Sequence, residues 1–282
     1  MSRQVSADPL LERQGGVVLL VDASVQIETL GPGDYFVIDE AKSGGQATLA
    51  ALRKYAEENN ISIRGEIVSV GGARLNRDKS PILVADKVGA QTRQVPQPLW
   101  VPDSIANDPE YVGALGVVST YAFERAAISS AKSKDEVEPP SVTIDEFHKA
   151  AAVIKERTQA SSVLFLGVLG KSRSDTSEVV DFVARFTIGE AVAIGTAGLG
   201  TGYYAIFIPG HFTGRNGMTM ESALIDLESG QLTWSNAVQA PQDPIHPENM
   251  ANAGTLDLLL HNIMFKPVVV QPTASPLPEQ VH

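Results

Sequence analysis

Ala223-Leu224-Ile225-Asp226-Leu227, Glu228-Ser229-Gly230 and Gln231-Leu232-Thr233-Trp234 follow one another without a break, and how they are read decides the fold. Two runs of strand-forming residues flank a short polar turn that ends on glycine, the residue that takes positive φ at no steric cost. The pattern predicts a β-hairpin over residues 223–237. A lone hairpin is marginal in water, so further strands must lie elsewhere in the chain.

They are found upstream. Val17-Val18-Leu19-Leu20-Val21 has the length and composition of a buried strand, which residues 26–30 continue or pair with. Tyr35-Phe36-Val37-Ile38 follows the turn Gly31-Pro32-Gly33-Asp34 as a second strand. Ser43 and Gln46 have capping-box spacing and predict a helix start, with Leu49, Leu52 and Ala56 on one face and Asn59-Asn60 as the stop. Residues 61–70 alternate as a strand up to Gly71-Gly72. Residues 73–107, rich in Pro, Gln, Asn and Asp, read as an excursion folded over the sheet. A helix over 108–131 carries Pro109 in its first turn, and residues 132–140 form a charged linker. A second capping box, Thr143-Ile144-Asp145-Glu146, precedes Phe147, Ala150, Ala151 and Ile154 at helical spacing. Residues 162–168 are the next buried strand, and 248–265 read as one closing helix with Met250, Leu256, Leu260 and Ile263 inward.

The expected architecture is therefore α/β: a mixed β-sheet flanked by helices, with a hairpin over 223–237 and a closing helix. Residues 16–266 form a single domain with the excursion at 73–107. Residues 1–15 read as a flexible segment without an apolar core of a signal peptide, and 267–282 as a proline-rich disordered tail.

Composition excludes several functions. With 33 acidic and 22 basic residues the net charge is −11, and the chain has no basic cluster that Asp78 does not interrupt, so nucleic acid is not an expected partner. The absence of cysteine removes disulfides, thiolate nucleophiles and cysteine metal sites. None of His148, His211, His246, His261 and His282 stands at a metal-ligand spacing, and no G-x-S-x-G elbow is present. Neither catalytic residues nor a cofactor or metal are expected. The one carboxylate grouping worth carrying forward is Asp22 at the end of the first strand, with Asp39 and Glu40 after the second, because strand ends line ligand crevices in α/β folds. Those three acids support an alternative reading as a small-ligand protein or enzyme; as plain helix caps they stay hydrated.

Residues 191–214 contain no charge. Gly195, Gly198, Gly200 and Gly202 make the run a poor transmembrane helix, and Gly198-Leu199-Gly200-Thr201-Gly202 lacks the order of a nucleotide loop. Two readings remain open: a glycine turn followed by a core strand over 203–208, or an apolar loop that touches a membrane or a partner through Ile194, Leu199, Tyr203, Tyr204 and Phe207.

The hairpin Leu224-Ile225-Asp226-Leu227-Glu228-Ser229-Gly230-Gln231-Leu232-Thr233-Trp234 resembles the L-V-D-x-x-T/S-G-x-x-x-W ribbon of bacterial envelope proteins, the curli-secretion lipoprotein and TolB amino-terminal-like superfamily. The resemblance implies a mixed-sheet domain at the outer membrane, reached from the periplasm, that assists envelope assembly or secretion and does no chemistry. It implies oligomers, other envelope proteins as partners, and in that family an apolar hairpin that can enter the membrane. Members carry a lipidated cysteine, which this chain lacks. The expected location is periplasmic or outer-membrane-associated if a leader has been removed, and cytoplasmic otherwise.

Overall fold

Eleven consecutive residues of the first strand, from Val17 to Ile27, are buried, so this strand has protein on both faces and on both edges. A computed structural model describes residues 15–29, 34–72, 81–96, 98–130, 140–173, 216–261 and 263. In it β1 (Val17–Glu28) is the spine of an eight-stranded sheet. One edge of β1 pairs in parallel with β6 (Ser162–Arg173) along its whole length. The other edge is shared: β3 (Ile63–Val70) runs parallel to residues 17–23, and β2 (Tyr35–Val37) runs antiparallel to residues 25–27. Beyond β2 lie β4 (Ile82–Ala85) and β5 (Arg93–Val95), and beyond β6 lie β7 (Gly217–Asp226) and β8 (Leu232–Ala240), both antiparallel. The α/β mixed sheet and its terminal hairpin are those the sequence predicts.

Helices cover both faces. Val17, Leu19, Val21 and Ala23 pack on α1 (Ile38–Glu58) and on two short helices, α5 (Pro247–Met250) and α6 (Ala253–Leu260). Val18 and Leu20 point the other way, into α3 (Pro109–Ser130) and α4 (Ile144–Thr158); α2 (Asp103–Ala106) precedes α3. This alternation is the two-residue period of a strand buried on each side. The α4 capping box forms as its sequence predicts, and Phe147, Ala150, Ala151 and Ile154 are buried. Gly230 takes φ +68° in the hairpin turn.

Three expectations are corrected. The first helix starts at Ile38, one turn before Ser43, with no side-chain cap. Its start is set by the end of β2, by the Asp86 carbonyl that accepts from the Asp39 amide (2.9 Å), and by Asp39 and Glu40 facing the positive end of the helix dipole. Ser43 therefore lies inside the helix, and the following glycines serve packing: Gly44 lies against Met250 and Gly45 against Val68 and Ala23. The excursion does not fold over the sheet; β4 and β5 extend it edgewise, because Val84 and Ala85 pair with Phe36 and Val37. The closing helix breaks in two, since the Asn252 side chain accepts from the Thr255 amide (3.1 Å) and caps a new helix where periodicity alone read straight through. Met250, Leu256, Leu260 and Ile263 are nonetheless buried. The turn at 31–33, most of the 132–140 linker, the 191–208 stretch and both terminal segments lie outside the described residues.

Candidate functional site

Each residue of β1 that faces α3 and α4 heads a row across the sheet. The row of Leu20 runs through Phe165 and Ala223 and is apolar. One step along, the row of Ser69, Asp22, Gly167 and Glu221 is polar. Both carboxylates are buried, Asp22 at 4% exposure and Glu221 at 6%. Between them Gly167 leaves room into which the Phe165 ring leans, 3.0 Å from where a Cβ would stand, with Phe123 of α3 alongside. Strand spacing separates the two acidic backbones by roughly 10 Å.

Asp22 is tied down from β3. Its Oδ1 accepts from the Ser69 hydroxyl (2.6 Å) and from the Gly72 amide (2.7 Å). The row thus holds the end of β3 and the glycine turn after it against β1. The cavity beside this row, lined by Asp22, Ser24, Phe123, Gly167, Thr219 and Glu221, measures about 20 Å³. That is room for one water molecule, against roughly 300 Å³ or more for a small-molecule pocket. Among the described residues no group of three or more histidines and acids could hold a metal ion.

Asp39 and Glu40 do not join Asp22. They sit in the first turn of α1, on the opposite face of the sheet, where Val88 N donates to Glu40 Oε1 at 3.4 Å. The acid that shares the row of Asp22 is Glu221, which sequence reading missed by starting the hairpin strand at Ala223. The signal was present: Glu221 stands two residues before Ala223 and four before Ile225, on the core-facing parity of the strand. His148 and His261 are exposed, and exposed His246 precedes α5 as its N-cap. His211, His282 and the five contact candidates Ile194, Leu199, Tyr203, Tyr204 and Phe207 lie outside the described residues.

The chain matches no protein-family model, no curated protein and no solved structure.

The longest ladder on this side of the sheet pairs β6 with β7 from Ser162↔Asp226 to Lys171↔Gly217. Both strands run past the row of Asp22, so Arg173 and Asn216, the described residues that flank 174–215, stand at neighbouring positions on one end of the sheet. Lys171 beside this end pairs with Glu28 at 3.4 Å, and Asn216 donates to Asp243 at 2.8 Å. No described helix is long and apolar enough to cross a membrane.

Proposed function

We propose that the protein works by contact, as an envelope assembly or secretion accessory that binds other envelope proteins, itself or a membrane surface and performs no chemistry. The observation that carries the reading is the β6–β7 ladder. It brings Arg173 and Asn216, which flank residues 174–215, to one end of the sheet, and within that segment 24 successive residues, 191–214, carry no charge in a chain of net charge −11. An uncharged stretch of this length in an acidic chain is chemically suited to an apolar partner. The hairpin's resemblance to the curli-secretion and TolB-type envelope proteins supports a periplasmic or outer-membrane-associated setting.

Flotation of the full chain with phosphatidylethanolamine–phosphatidylglycerol vesicles tests the membrane form of this contact. Protein should rise with the vesicles, and chymotrypsin should cleave after Tyr203, Tyr204 and Phe207 more slowly in their presence. Replacing Tyr204 and Phe207 by Asp should abolish both effects. Protein that stays at the bottom of the gradient and is cleaved at an unchanged rate sinks the membrane contact.

A further inference from the structure

Asn216 stands immediately before Gly217, the first residue of β7. An asparagine followed by glycine is chemically labile, because glycine has no side chain to shield its amide and lets the backbone turn in on the carboxamide. The Gly217 nitrogen attacks Asn216 Cγ and loses its proton, the Cγ–Nδ2 bond breaks, and ammonia leaves. Water then opens the succinimide ring at either carbonyl, giving aspartate or isoaspartate. The only co-reactant is water, and Asn216 is half-buried, so part of it faces solvent.

The carboxamide is anchored against this chemistry. Asn216 Nδ2 donates to Asp243 Oδ2 at 2.8 Å, and the hydroxyl of buried Ser172 donates to Asn216 Oδ1 at 3.4 Å. Gly217 itself is paired opposite Lys171 in the β6–β7 ladder. Asp243 also organises the connection between β8 and α5. Its Oδ1 accepts from the Ile245 amide at 3.1 Å, and its carbonyl accepts from the Asn249 side chain at 2.8 Å. The next residue, Pro244, packs on Gly170 of β6.

We infer that Asn216-Gly217 is a deamidation site held closed by Asp243, and that its conversion unfastens residues 241–246 from this end of the sheet. Attack on Cγ requires the carboxamide to swing off Asp243 first, so that hydrogen bond sets the rate. Loss of ammonia replaces the donor Nδ2 by a carboxylate oxygen, and an attraction at 2.8 Å becomes a contact between two acids. The segment that Asp243 organises then loses its tie to the start of β7. The inference is independent of the contact role proposed above.

Peptide mapping by mass spectrometry, on the full chain aged in mildly alkaline buffer, tests it. Folded wild type should convert at Asn216 more slowly than wild type aged in urea. Asp243→Ala should convert at least about tenfold faster than folded wild type, the factor that one hydrogen bond to a charged acceptor supplies. Asn216→Asp, which imitates the product, should melt at least about 3 °C below wild type. Adding Asp243→Asn to Asn216→Asp should restore the melt, because the pair then bonds in the reverse sense. That swap should not deamidate, since its asparagine precedes Pro244, whose nitrogen carries no hydrogen. Equal rates for wild type folded and in urea, an Asp243→Ala variant that ages like wild type, or a swap that melts no higher than Asn216→Asp alone each overturns the inference. The swap decides the matter even where Asp243→Ala fails to fold.

Discussion

The Tyr121 hydroxyl, buried in α3, donates to the Gly230 carbonyl at 3.0 Å, so the turn of the hairpin is held by a helix more than a hundred residues earlier in the chain. The same ring stacks on Phe147 of α4 with centroids 4.2 Å apart. Tyr121→Phe keeps the stack but strands a buried carbonyl, and should cost about 1–2 kcal/mol in urea unfolding. Gly230→Ala should cost more, about 2–3 kcal/mol, because positive φ and a Cβ 2.6 Å from Ile144 act together. Equal stability of both variants to wild type would show that the turn is not fixed from α3.

Gly44 sits where α1 crosses α5, and an added methyl would meet the Met250 sulfur. Alanine favours a helix over glycine by about 1 kcal/mol, yet overpacking a filled core costs about 1–3 kcal/mol. Gly44→Ala should therefore destabilise the wild type and stabilise the Met250→Ala background. A double-mutant cycle by chemical denaturation reads the change of sign; the same sign in both backgrounds rules the contact out.

Asp22 belongs to the sheet's polar row, and its value is tested by what it leaves behind. Asp22→Ala deprives the Ser69 hydroxyl and the Gly72 amide of their acceptor and should cost about 2–4 kcal/mol. Asp22→Asn retains a carbonyl oxygen and should cost less than half as much. Thermal unfolding of the two variants side by side distinguishes this anchoring from a surface role, for which both would melt as wild type does.

Asp226 makes the hairpin turn sensitive to acid. Partial burial pushes its carboxyl up, but the Ser229 amide (2.7 Å), the Ser229 hydroxyl (2.8 Å) and the Glu228 amide (3.1 Å) outweigh that and hold it below its ordinary value of 3.8. A folded value below the unfolded one contributes stability that is fully present above about pH 4 and is lost as pH falls through the folded value. Wild type should thus lose more stability than Asp226→Asn between pH 5 and pH 3, both about pH values spanning that titration. Parallel pH profiles of the two proteins would remove Asp226 from the account.

Local chemistry made much of this molecule readable. Thr143 and Glu146 cap a helix because a hydroxyl and a carboxylate three residues apart satisfy each other's neighbouring amides, whatever surrounds them. Glu228-Ser229-Gly230 turns because glycine accepts positive φ. The aliphatic run at Val17 is a buried strand because nothing in it can face water. Where a tertiary partner overrode such a signal, the reading went astray. Ser43 and Gln46 have the spacing of a cap, but a carbonyl from Asp86 and the end of β2 start the helix a turn earlier.

The sequence by itself determined the long strands and helices, the net charge and the bend at Gly230, which are properties of composition or of contacts a few residues long. Only the tertiary structure decided that Asp22 shares a row with Glu221 and lies across the sheet from Asp39 and Glu40, that residues 73–107 widen the sheet, and that the uncharged β8 ends the described strand order. Strand order and facing are set by burying two apolar faces at once, and that is a property of the assembled sheet, which no stretch of chain carries alone.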